Sequence, residues 1–181
     1  MCLNHAVTRL DKLKVWFDPS NLIHPVTHFI DLEVIDEAGP EIAEKSSYVV
    51  APWMPNLKHR RQFETLERLL PDYPALALLA SEGRLLAYNR LGSPIVRAGM
   101  PTCSAKYFSS EAALDCLGAC GVKRVMTVGI DGGTTYAKAF EDMEPLRNGR
   151  ASFDDQAPEL ERIADKWGMK VFSFSSLVET P

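Results

Sequence analysis

Apolar positions in the second half of the chain alternate between helical spacing and short continuous runs. Ser109 and Ser110 precede Glu111, and Ala113, Leu114, Leu117 and Cys120 then fall on one side, with Gly121 behind them. A serine N-cap, an acidic first turn and a closing glycine predict a helix that follows the two serines, begins near Glu111 and stops at Gly121. Residues 124–130 (Arg-Val-Met-Thr-Val-Gly-Ile) form a short, mostly apolar run, which predicts a buried strand. Asp154 or Asp155 then caps a helix that tolerates Pro158 in its first turn, carries Leu160, Ile163, Ala164 and Trp167 as its stripe, and stops at Gly168. Residues 170–174 make the next strand. Strand, crossover helix and strand imply a right-handed parallel unit, with 124–130 beside or near 170–174.

The first half is less regular. Strands are expected at 14–17, 29–34, 48–51, 75–80 or 84–88, and 95–97, and a helix over about 57–70, with Phe63, Leu66, Leu69 and Leu70 on one side and Pro71 closing it. Pro52 and Pro55 make 51–56 a loop suited to lining a cleft, because each proline removes a donor and fixes φ. Together the elements predict the α/β class: a Rossmann-like open, mostly parallel sheet with helices on both faces. The 181 residues are the length of a single domain, 1–181.

Composition narrows the functional classes. Hydrophobic residues are 46% and charged residues 24%, the profile of a folding globular chain. With 20 Lys and Arg against 24 Asp and Glu, no global basic field exists to collect nucleic acid. No apolar run approaches the ~18 residues of a membrane span, and Asp11, Lys12, Lys14 and Asp18 stand where a signal peptide needs an apolar centre, so a cytoplasmic protein is expected. Cys116 and Cys120 lie one helical turn apart and are expected to be small apolar groups facing the core. No metal site is expected, since no cysteine pair or histidine has zinc-ligand spacing and no D-x-D pair occurs.

The segment with most chemistry follows the 124–130 strand. Asp131, Gly132, Gly133, Thr134, Thr135 and Tyr136 stand at the carboxyl end of that strand, where open α/β sheets bind ligands. Two glycines let backbone amides approach a ligand closely, and three hydroxyl side chains suit phosphate or sugar oxygens. In the same crossover, Arg147 and Arg150 flank an Asn148-Gly149 turn and suit an anionic ligand at the Asp131 loop. Lys58, His59, Arg60 and Arg61 form a basic cluster expected at a solvated helix start. His5, His24, His28 and His59 are expected in surface or capping roles.

Residues 107–114 (Tyr-Phe-Ser-Ser-Glu-Ala-Ala-Leu), then Gly121-Val122-Lys123-Arg124-Val125, then Val128-Gly129-Ile130-Asp131 resemble a signature shared by two related families. These are the bacterial sialyltransferases that use CMP-activated sugars and the archaeal hydroxymethylpterin diphosphokinase-like proteins. Ser152-Phe153-Asp154 and the helix leading to Val171 fit the same order, so the resemblance spans about residues 107–175. It implies a Rossmann-like nucleotide-handling domain, with Ser109, Ser110 and the Asp131 loop facing the donor cleft. The expected ligand is a nucleotide or other phosphate-containing small molecule, a nucleotide-activated sugar being substrate rather than cofactor. The families' glycine-rich opening loop has no counterpart in residues 1–30, and no histidine matches the sialyltransferase base. A non-catalytic or degenerate binding module of a larger glycan-processing system is therefore the alternative. The acceptor, the general base and any homo-oligomeric state are left open.

Overall fold

The computed structural model describes residues 1–10, 24–57, 64–106, 108–130, 154 and 156–173, with His5 described by its backbone alone. It divides into two compact units, Met1–Ser104 and Ala105–Pro181. In the first, strands β1 (Cys2–Leu3), β2 (Val26–His28), β3 (Tyr48–Pro52), β4 (Leu85–Arg90) and β5 (Thr102–Cys103) form a five-stranded sheet in that order. In the second, β6 (Arg124–Thr127) pairs with β7 (Lys170–Ser173). Every pair is parallel, so the chain is α/β, with open parallel sheets and helical crossovers. Strand order in the larger sheet advances with the sequence and does not reverse among the described strands.

Helices α1 (Glu33–Lys45), α2 (Leu66–Leu69) and α3 (Pro74–Ser81) belong to the first unit. Val34, Ile35, Ile42 and Ala43 of α1 share a core with Leu76 and Leu79 of α3 and with Val49 and Ala51 of β3. Alternation along β3 puts Val49 and Ala51 on the same side of the sheet, so α1 and α3 bury the same face.

Several expected elements in this unit are corrected. Residues 33–45 are a helix, overlapping the end of the strand expected over 29–34. The helix continues past Gly39 and Pro40 by kinking at Ala38 (φ −142°), because burial of Ile42 and Ala43 outweighs the break at proline. Residues 75–80 lie in α3 and not a strand, leaving the strand to β4. Residues 95–97 are loop, with Ile95 and Val96 exposed. The expected helix over 57–70 is reduced among the described residues to Leu66–Leu69, since Thr65 is extended at its start; a 3-10 turn, Leu70–Asp72, follows. The expected strand at 14–17 and the basic cluster 58–61 lie outside the described residues.

The end of α1 is held from a distant strand start. Arg84 donates to the carbonyls of Ala43, Ser46 and Ser47, while its other terminal nitrogen meets Glu82. A charged donor satisfying helix-end carbonyls stabilises more than a neutral one. Arg84→Met is expected to cost about 2 kcal/mol in urea unfolding; a loss below about 0.5 kcal/mol would show that water serves those carbonyls equally well.

In the second unit, α4 (Ser109–Ala119) and α5 (Gln156–Trp167) each feed one strand of the β6–β7 pair. Both end as the glycines predict. Gly121 (φ 84°) and Gly168 (φ 58°) take the left-handed conformation, and Val122 and Met169 donate back to the carbonyls of Leu117 and Ala164. Leu114, Ile163, Ala164 and Met169 form the core, against which Val125 and Val171 pack. The strand expected to be fully buried is two-faced: Val125 points inward, whereas Met126 is 57% exposed and Arg124 lies over the partly exposed Phe172 ring at 5.8 Å. The described helices α4 and α5 pack on the Val125 and Val171 side, and alternation along the strands turns the intervening residues away from that core.

Candidate functional site

In the second unit, β6 and β7 run parallel, with α5 preceding β7. After β6 the described chain leaves the carboxyl end of a parallel strand through Val128, Gly129 (φ 68°) and Ile130. Asp131, Gly132, Gly133, Thr134, Thr135, Tyr136, Asn148 and Arg150 themselves lie outside the described residues.

The helices α4 and α5 start side by side. Gln156 donates through Nε2 to Ser110 Oγ at 2.5 Å, and Lys106 reaches Glu159 at 3.3 Å. At the other end, Asp115 accepts from Lys166 Nζ at 2.8 Å and from Trp167 Nε1 at 2.5 Å. The two helices therefore run in the same direction, and their positive dipole ends sit together. Arg162 and then Lys106 hold the Glu159 carboxyl below the usual carboxylate range by hydrogen bonding and charge.

The start of α4 corrects the expected cap. Phe108, not a serine, is the extended N-cap residue, and Ser109 and Ser110 lie inside the first turn. Glu111 is fully buried and turns back to accept from the backbone amides of Lys106 (2.7 Å) and Phe108 (2.9 Å). Ser109 is half-buried. Ser110 is buried, with its hydroxyl engaged by Gln156. Cys116 is partly buried, and Cys120 is exposed at the helix end rather than facing the core, because the helix has already closed at Ala119.

The first unit brings together polar groups that sequence reasoning left unassigned. Beyond β2, β3 and the last residue of β4, Arg90 NH1 donates to Asn56 Oδ1 at 2.6 Å, and Asn56 Nδ2 donates to Asp31 Oδ1 at 2.9 Å. Backbone bonds from Asn56 to Ile30 and from Leu32 to Asn56 fix the same segments. Nearby in sequence, Trp53 Nε1 and Arg97 both donate to Glu67, and Asn89 pins the 97–100 loop through its amide. The two-proline segment 51–56 was the available signal, for it carries both Trp53 and Asn56, although Ala51 and Pro52 close the central strand β3 instead of lying in the expected loop; the partners 25 and 34 residues away were not readable.

No protein-family model, curated protein or solved structure matches this chain.

His28 is the histidine that departs from expectation. It is fully buried on β2, stacked on Tyr88 at 5.7 Å with Nε2 2.9 Å from the Tyr88 hydroxyl; His24 is exposed. No partner reaches Nδ1 among the described residues. A bare acceptor is cheaper to bury than an unpaired N–H, which puts the proton on Nε2, donating to Tyr88. Burial lowers the His28 pKa to about 3. A group so placed is neutral and enclosed, which suits packing rather than proton transfer to a substrate. Among the described residues no group of three or more His, Cys, Asp or Glu side chains is placed to hold a metal ion, and no helix is long and apolar enough to cross a membrane.

Proposed function

We propose that the protein binds a phosphate-containing nucleotide-activated sugar at the carboxyl edge of β6 and acts as a glycosyltransferase-like protein of the cytoplasm. The observation that carries this reading is the parallel β6–α5–β7 unit, with the starts of α4 and α5 side by side. Open α/β sheets take ligands outside the carboxyl ends of their strands, and adjacent helix starts favour a phosphate. In this reading the amides at Gly132 and Gly133 approach the donor phosphates, and Thr134 and Tyr136 hydrogen-bond the leaving phosphate as charge develops. Asp131 orients a sugar hydroxyl; Thr135, Asn148, Arg150 and Ser109 complete the anion's surroundings.

A second reading, a non-catalytic module, is favoured by the contacts at the start of α4. Ser110 is already bonded to Gln156, and Glu111 already occupies amides at the start of α4. Both are groups that a donor phosphate would otherwise use.

A thermal-shift series with CMP, UDP, GDP, ATP and CMP-sugars separates the two. A donor at about a hundredfold excess over its Kd is expected to raise the Tm by about 5 °C or more, with one base preferred. Asp131→Ala and Gly133→Val are expected to abolish that shift. No shift with any nucleotide would establish the module reading, and a shift that survives both substitutions would remove the Asp131 loop as the site.

A further inference from the structure

The side chains at the carboxyl edge of the N-terminal sheet form a relay whose two ends are chemically opposite. Arg84, Arg97 and Arg162 each meet a carboxylate. Arg90, half-buried at the end of β4, is held instead by the neutral Asn56 amide and has no ion pair among the described residues. The guanidinium is thus positioned without being neutralised, and only one of its five N–H donors is used. At the other end, the half-buried Asp31 spends one carboxylate oxygen on Asn56 Nδ2, leaving the second without a hydrogen-bond partner among the described residues.

Between them the Asn56 amide has a single workable orientation, its oxygen toward Arg90 and its nitrogen toward Asp31. Because the Asn56 backbone is also paired to Ile30 and Leu32, the relay is rigid before any ligand arrives. Its ends are two hydrogen bonds and one amide apart, roughly 6–8 Å. That separation suits a ligand carrying an anion and a hydroxyl at opposite ends of a small ring, and exceeds the spacing of the amine and carboxylate of an amino acid. Residues 31, 56 and 90 each follow or close a parallel strand at its carboxyl end, the edge at which open α/β sheets bind ligands.

We propose that this edge binds a phosphorylated sugar, Arg90 taking the phosphate through its free N–H groups and Asp31 accepting from a sugar hydroxyl. A guanidinium fork matches phosphate geometry, and a carboxylate is the natural acceptor for a hydroxyl. The site lies wholly within residues 1–104 and stands independently of the Asp131 reading.

Calorimetric titration of the full chain with ribose 5-phosphate, inorganic phosphate and ribose tests it. Ribose 5-phosphate is expected to bind most tightly. Arg90→Gln, which keeps a donor for Asn56, should weaken ribose 5-phosphate and inorganic phosphate at least tenfold, and Arg90→Lys by less. Asp31→Asn should weaken ribose 5-phosphate about fivefold while leaving inorganic phosphate within twofold, a split that general loss of folding does not produce. Asp131→Ala should leave both probes unchanged. The proposal is overturned if the folded wild-type chain binds none of the probes up to about 10 mM, or if Arg90→Gln and Asp31→Asn bind ribose 5-phosphate like wild type. Binding lost in Asp131→Ala alone would overturn it while leaving the donor reading intact.

Discussion

Acidification from pH 7.5 to 5 is expected to remove about 2 kcal/mol of stability through His28 alone, and about 4–5 kcal/mol by pH 3. The folded pKa of about 3 lies below the ordinary 6.5 because burial disfavours the imidazolium. The unfolded chain therefore binds a proton that the native state refuses, and stability falls as pH drops below the unfolded value, with a slope approaching one proton. Protonation would also put an N–H on Nδ1, which has no partner among the described residues, in a site with no solvent access. Carboxylates join the titration below about pH 5, so the informative window is pH 5 to 7.5. Urea unfolding across that window should show the slope in wild type and lose it in His28→Leu. Equal slopes would mean that His28 opens to water well before the unit unfolds.

Gly118→Ala is expected to destabilise the C-terminal unit by about 2–3 kcal/mol, and Gly118→Val by more. The direction is the informative part, since glycine to alanine inside a helix ordinarily gains up to about 1 kcal/mol. Here a Cβ would overlap the Trp167 side chain, which lies directly on the bare Gly118 backbone. The indole has little room to retreat: its Nε1 is bonded to the buried Asp115 carboxylate, and Lys166 lies 4.7 Å from the ring centroid. Trp167→Leu should make Gly118→Ala neutral or stabilising, and the double-mutant cycle measures that coupling. A stabilising Gly118→Ala in the wild-type background would show that α4 and α5 separate freely enough to admit a methyl group.

Local signals were strongest where one residue type has one physical use. The glycines at 121 and 168 closed helices because only a left-handed residue returns the chain toward a strand, and the stripe from Leu160 to Trp167 predicted the packed face of α5. The signals failed where a longer-range term outweighed propensity. Burial of Ile42 and Ala43 carried α1 through Gly39 and Pro40, and Pro74 started a helix where the apolar residues behind it suggested a strand. Ser109 had the right chemistry for a cap, but Phe108 takes the extended N-cap position, and the buried Glu111 carboxylate reaches back to the amides of Lys106 and Phe108.

The Asp131 loop, which lies outside the described residues, was open to naming as a candidate because glycines, a carboxylate and hydroxyls stand together in the chain. The Asp31, Asn56 and Arg90 relay was not, since its members come from three crossovers and become neighbours only when β2, β3 and β4 align. The sequence alone determined the α/β class, the parallel crossover of the second unit and the turns that close its helices, because these depend on periodicity and on backbone conformations reserved for glycine. Tertiary structure alone decided that His28 is neutral, that Ser110 is engaged inside a helix pair and that Arg90 is held by a neutral amide. Burial and pairing are properties of the residues a side chain meets, and parallel strands bring those together from distant parts of the chain.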